Sequence, residues 1–169
     1  MRLCAPLITA IAISVLASAP QSASATDGDM SIERAGRYYL NTVCAANKVD
    51  DRFYEKVFGE KSQLNYKDYK GKVLKAARQY GRKSSNSEYR ASRRLANPPA
   101  PWPAGIADRV DRMSANYLNE SDQFDRVVNK PRRKSFDALV ELESLATVGV
   151  RDSKRIRSFL DLPKNGRGC

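Results

Sequence analysis

Three sets of residues in this chain could do chemistry: the thiols of Cys4, Cys44 and Cys169, the acids of "DDRFYE" at 50–55, and the bases between Lys67 and Arg94. The chain of 169 residues contains no histidine. That removes the side chain that ordinarily moves protons near neutral pH and the commonest transition-metal ligand. Serine–histidine and cysteine–histidine catalysis are excluded, and neither Cys44 nor Cys169 has the close partners of a zinc site. "YKGKVLK" holds a Gly-Lys pair without the earlier glycine and loop of a phosphate cradle. Asp50 and Asp51 project in different directions from a helix, and no loop of alternating oxygen ligands follows them. They read as a solvated helix start. No enzymatic activity, catalytic residue, cofactor or metal site is expected.

The bases make the stronger pattern. From Lys67 to Arg94 the chain carries ten basic residues against Asp68 and Glu88. On a helical wheel Lys67, Lys75, Arg78, Arg82 and Arg93 share one sector, and Lys72, Lys83, Arg90 and Arg94 fall beside it. A second group, Arg151, Lys154, Arg155 and Arg157, comes late in the chain. Such a face attracts polyanions: anionic envelope polymers, acidic lipid headgroups or nucleic acid. The alternative is a charged surface that only keeps the protein dispersed. Specific nucleic-acid recognition is not expected, because Tyr66, Tyr69 and Tyr80 fall on the expected core face instead of among the charges.

The compartment is read from the first 25 residues, "MRLCAPLITAIAISVLASAPQSASA". One base, a short apolar run and an A-x-A ending at Ala23–Ala25 give the layout of a cleavable secretory signal. Its apolar run is short for a membrane anchor, which needs roughly 20 residues. No other stretch is expected to span a bilayer, so the product is expected to be soluble and extracytoplasmic. Cleavage takes Arg2 and Cys4, leaving a single domain over 26–169 with 29 basic and 19 acidic residues. Two cysteines then remain. In an exported protein they most simply form one internal disulfide, Cys44–Cys169; two free thiols or a bridge to a second chain are the alternatives.

Helices must position these groups. Ile32, Ala35, Gly36, Tyr39, Val43 and Ala46 recur at three- and four-residue spacing, behind a possible Ser31 cap. The period continues through Val49, Phe53 and Val57 to a stop at Gly59, either as one helix or with a break near Asp50. A second helix is expected over Tyr66–Ala96, weakened at "GRKSSNS" by poor helix formers and ended by "NPPAPWP". A third covers Ala104–Asn129, with Ile106, Val110, Met113, Tyr117, Phe124 and Val128 inward. A fourth covers Ser135–Leu160, with Gly149 as a candidate kink. No segment alternates as a strand would. The fold class is therefore all-α, an antiparallel up-down four-helix bundle. In that arrangement the last residues can reach back along the first helix: Cys44 stands roughly 20 Å into it, and eight extended residues cover up to about 26 Å. Trp102, in "PPAPWPAG", is either a recognition element for a protein partner or a lid over one end, with Pro103 opening the third helix.

"YYLNTVCAANKVDDRF", "LANPPAPWPAGI" and "LDLPKNGRGC" together resemble a group of small secreted or lipid-anchored helical proteins of actinobacteria. That group has a similar cysteine-bearing helix, a tryptophan–proline turn and a late cysteine. It often has proline where this chain has Ala45, and many members carry a lipid anchor that this leader does not support. The resemblance implies an outside location and a Cys44–Cys169 pair, and no mechanism. The resulting expectation is an exported, non-enzymatic helical protein that touches anionic envelope components through Lys67, Lys72, Lys75, Arg78, Arg82, Lys83, Arg90, Arg93 and Arg94. The alternative is a secreted protein-binding module, an inhibitor or effector, that uses Trp102.

Overall fold

A computed structural model describes residues 28–61, 63–163 and 169. The expected signal peptide lies outside the described residues. Four helices, and no strand among the described residues, make up the fold: α1 (Ile32–Phe58), α2 (Gly71–Ala96), α3 (Ala107–Asn129) and α4 (Arg132–Phe159). They pack against one another as a bundle, closely for α1 with α2, α2 with α3, and α3 with α4. None is long and apolar enough to cross a membrane.

α1 is continuous through Asp50. Ser31 Oγ accepts from the Arg34 N–H at 3.3 Å, and Gly59, at φ 60°, ends the helix in the left-handed region that favours glycine. α2 begins at Gly71, later than the expected Tyr66. The reason lies in the preceding segment, where Arg132 takes the carbonyls of Tyr69 (2.6 Å) and Tyr66 (2.5 Å) that a helix would need. Tyr69 is buried there, its hydroxyl 2.7 Å from Ser135 Oγ.

"GRKSSNS" does not fray; α2 runs through it. Its small residues face α3 and bring the two helices together. A Cβ at Gly81 would already stand 3.3 Å from Val128 Cγ2. Farther along, Ser121 Oγ donates to the Ser85 carbonyl and Ser114 Oγ to the Ser92 carbonyl, each at 3.0 Å. Both pairs repeat after seven residues, two turns of helix, so what weakens this stretch in isolation fits it to its neighbour.

The end of α2 explains Trp102. The last carbonyls of a helix lack intrahelical partners. Here the Arg93 carbonyl accepts from Asn97, the Arg94 carbonyl from the Tyr38 hydroxyl at 3.0 Å, and the Leu95 carbonyl from Trp102 Nε1 at 2.9 Å. The Trp102 ring is 6 % exposed and packs against Tyr38. Pro103 does not open α3. Its carbonyl accepts from Ile106 and Ala107 in a turn, and α3 starts at Ala107, later than the expected Ala104. All six expected inward residues of α3 are buried. α4 runs without interruption past Gly149.

Two apolar clusters fill the bundle. One gathers Tyr39, Val43, Leu95, Trp102, Val110 and Ile156; the other gathers Phe53, Val57, Tyr69, Phe124, Leu139 and Leu142. Past α4, Leu162 lies over Gly36 of α1, and Cys169 is bonded to Cys44, with their Cα atoms 5.0 Å apart. Leu162 and Cys169 are thereby both held against α1.

Candidate functional site

Between the two clusters the bundle interior turns polar. Asp50 from α1, Glu88 from α2 and Glu120 from α3 all sit on inward stripes: Asp50 between Ala46 and Phe53, Glu88 between Ser84 and Ala91, Glu120 between Tyr117 and Phe124. Asp50 is therefore no solvated helix start, and Glu88 is no part of the charged exterior. Glu88 is 0 % exposed. Both of its oxygens, with Asp50 Oδ1 and Ser84 Oγ, are buried without a hydrogen bond of ordinary geometry.

Crowded acids withdrawn from bulk water cannot all ionise. Burial, followed by the Asp50 and Glu120 carboxyls, pushes the Glu88 acid up to about 12, so it is neutral at physiological pH. Burial and Asp50 push Glu120 up to about 7, against the stabilising hydrogen bond from Asn116 Nδ2 at 2.6 Å. Asp50 is raised by burial, with contacts to Glu88 and Ser84 opposing. Burial and the same acids raise the Tyr54 and Tyr117 hydroxyls. Among the described residues no acids, cysteines or histidines are grouped as a metal site requires.

Asp50 and Glu120 open onto a cavity of about 320 Å³ bounded by α1, α3 and α4. It exists because α4 stays off α1 along its middle: between Leu142 and Ser153, where the Tyr39 hydroxyl of α1 reaches α4, no α4 residue is buried, and Val148 and Val150 are exposed. α3 and α4 do meet there, since a Cβ at Gly149 would stand 3.1 Å from Asn116 Nδ2. Lys154 and Arg157 line the cavity farther along α4, Arg157 a rise of roughly 12 Å beyond Gly149. Arg157 was expected in an exposed basic group; it is instead 4 % exposed and donates to the Pro163 carbonyl at 2.9 Å. Its other nitrogen lies 3.7 Å from Cys169 Sγ. The cavity thus has acids toward its middle, cations at one end, and apolar walls that include Tyr117, Phe124 and Leu142.

The expected polyanion-binding residues are all on the outside. Lys67, Lys72, Lys75, Arg78, Arg82, Lys83, Arg90, Arg93 and Arg94 are exposed, and none forms an ion pair among the described residues. Arg94 stacks over Tyr38, and Lys83 lies over Tyr80. Tyr69 is buried and Tyr66 and Tyr80 are half-buried; Tyr89, beside Arg90, is exposed, so the charges have a free ring beside them but not a row of rings. Trp102 is spent on closing α2 and filling the core. Compared with family models, with curated proteins and with solved structures, the chain matches none.

Proposed function

We propose that this protein is exported and works by contact, without catalysis, binding anionic polymer or lipid headgroups at the cell envelope through α2 and the segment before it. The observation that carries this reading is the row of ten exposed cations from Lys67 to Arg94, none in an ion pair among the described residues. Exposed charge of one sign on a rigid helix is well placed to follow a chain or sheet of negative groups. The leader-like first 25 residues and the resemblance to small exported helical proteins support the location. An up-down course accompanies the proposal, supported by the pairings 38–94 and 53–81 between α1 and α2, 92–114 and 85–121 between α2 and α3, and 112–152 and 116–149 between α3 and α4.

The test is binding of the chain from residue 26 to vesicles containing phosphatidylglycerol, and to a soluble polyphosphate, at low and moderate salt. Affinity for one of them should fall at least about tenfold between roughly 50 and 200 mM salt. Changing Arg82, Arg90 and Arg93 to glutamine should weaken both the binding and its salt dependence. Binding that ignores salt would refute the reading. The protein-binding alternative loses Trp102, whose ring is covered, and would fall instead on the exposed Val140, Val148 and Val150 of α4.

A further inference from the structure

We propose that the cavity between α1, α3 and α4 is a binding site for a small organic monocation, an ammonium head on an apolar body the size of one aromatic ring. A space of about 320 Å³ lies at the small end of the range that ligand cavities occupy. Its chemistry selects the ligand. Asp50 and Glu120 bring carboxyls to the cavity from two helices, and Asp50 Oδ1 is buried there without a hydrogen bond of ordinary geometry. Unmet buried acceptors are costly, and an ammonium supplies three donors together with the charge that lets these acids ionise. Tyr117, Phe124 and Leu142 offer an apolar and aromatic wall for the body.

Lys154 and Arg157 set the other limit. They stand at the far end of the same cavity, so a second positive charge on the ligand would meet them. A monoamine therefore fits where a polyamine does not. The charged and titratable groups facing Glu120 are Asp50 and Tyr54 from α1, Glu88 from α2, Tyr117 from α3 itself, and Lys154 and Arg157 across the cavity from α4. Glu143, also on α4, acts on Tyr54. An incoming ammonium favours the ionised form of Glu120, so binding releases a proton and strengthens as pH rises through about 7.

The experiment is calorimetric titration of the disulfide-bonded chain from residue 26 with 2-phenylethylammonium, 2-phenylethanol and spermidine. The expected result is saturable binding of the monoamine, at least about tenfold tighter than either of the others. Proton release should appear as a dependence of the heat on buffer ionisation. Glu120→Gln and Asp50→Asn should each weaken the monoamine roughly tenfold to a hundredfold. Ala146→Trp, an exposed position that lines the cavity, should block it without touching an acid. Circular dichroism confirms that each variant is folded, and the Ala146 variant serves if the acid variants are not. The proposal is overturned if no saturable binding occurs up to about 10 mM. It is equally overturned if the alcohol or spermidine binds as well as the monoamine, or if folded variants bind it unchanged.

Discussion

Replacing Glu88 by glutamine should make the protein more stable, and increasingly so as pH rises. The side chain keeps its shape and a donor but can no longer ionise. In the wild type the folded state holds the Glu88 proton up to about pH 12, whereas an unfolded glutamic acid releases it near its ordinary value of 4.5. A group whose folded value is raised contributes fully to stability below the unfolded value, and that contribution is lost as pH climbs toward the folded one. The loss is about 1.4 kcal/mol for each pH unit above 4.5. At pH 7 this amounts to about 3 kcal/mol, and the figure needs only that the folded value lie well above the assay pH. Glu120 and Asp50 act in the same direction, but both proteins carry them, so most of their effect cancels in the comparison. Urea denaturation of both proteins at several values between pH 5 and 8 is the assay. The difference in unfolding free energy should widen steadily across that range and nearly vanish close to pH 4.5. Parallel curves would mean that Glu88 ionises inside the fold, and the account of a buried, crowded acid cluster would fail.

Three further outcomes follow from the packing. Cys169→Ser should lower stability by up to about 5 kcal/mol, since the bond closes a sequence separation of 125 residues; Cys44→Ser should match it, and the double variant should add nothing. A loss below about 1 kcal/mol in denaturant titrations would count against the tie. Trp102→Phe keeps an aromatic ring but strands the buried Leu95 carbonyl, at a cost of about 1–3 kcal/mol, read from the midpoint of urea unfolding. Gly81→Val pushes methyls toward Val128, Val127 and Phe53 and should cost roughly 1–3 kcal/mol, with Gly81→Ala milder; a neutral Gly81→Val would refute the close α2–α3 approach.

Apolar spacing made the helices legible: the inward residues of α3 and the stop at Gly59 follow directly from pattern and turn chemistry. The two-cysteine count and the reach of the last residues led to the bond between Cys44 and Cys169. The polar interior is not legible from residue type, because a charged side chain ordinarily points outward. Asp50 lies seven residues after Val43 and seven before Val57; Glu88 lies seven after Gly81 and seven before Leu95; Glu120 lies seven after Met113. Position on the stripe was the available signal, and it conflicted with residue type. The cavity itself was not legible, since it depends on how far α4 stands from α1, a tertiary property. Arg157 looked like one more surface base among its neighbours, yet it follows Ile156 into the interior, where Pro163 and Cys169 receive it. The loop before α2 misled because its carbonyls go to Arg132, 63 and 66 positions away in sequence.

The unequal support of the four helices has a consequence for motion. α2 is clasped on two sides, by α1 and by α3, whereas the middle of α4 leans on α3 alone and turns Val148 and Val150 to water. Amide protons there, from about Glu143 to Arg151, should exchange with solvent well before those of α2, because freeing them uncovers little that is oily. The ends of that same rod are anchored, by Ser135 at one extremity and by Arg157 and the sulfur tie at the other. It can therefore bow outward without letting go, which would admit a guest while the remainder of the molecule holds still.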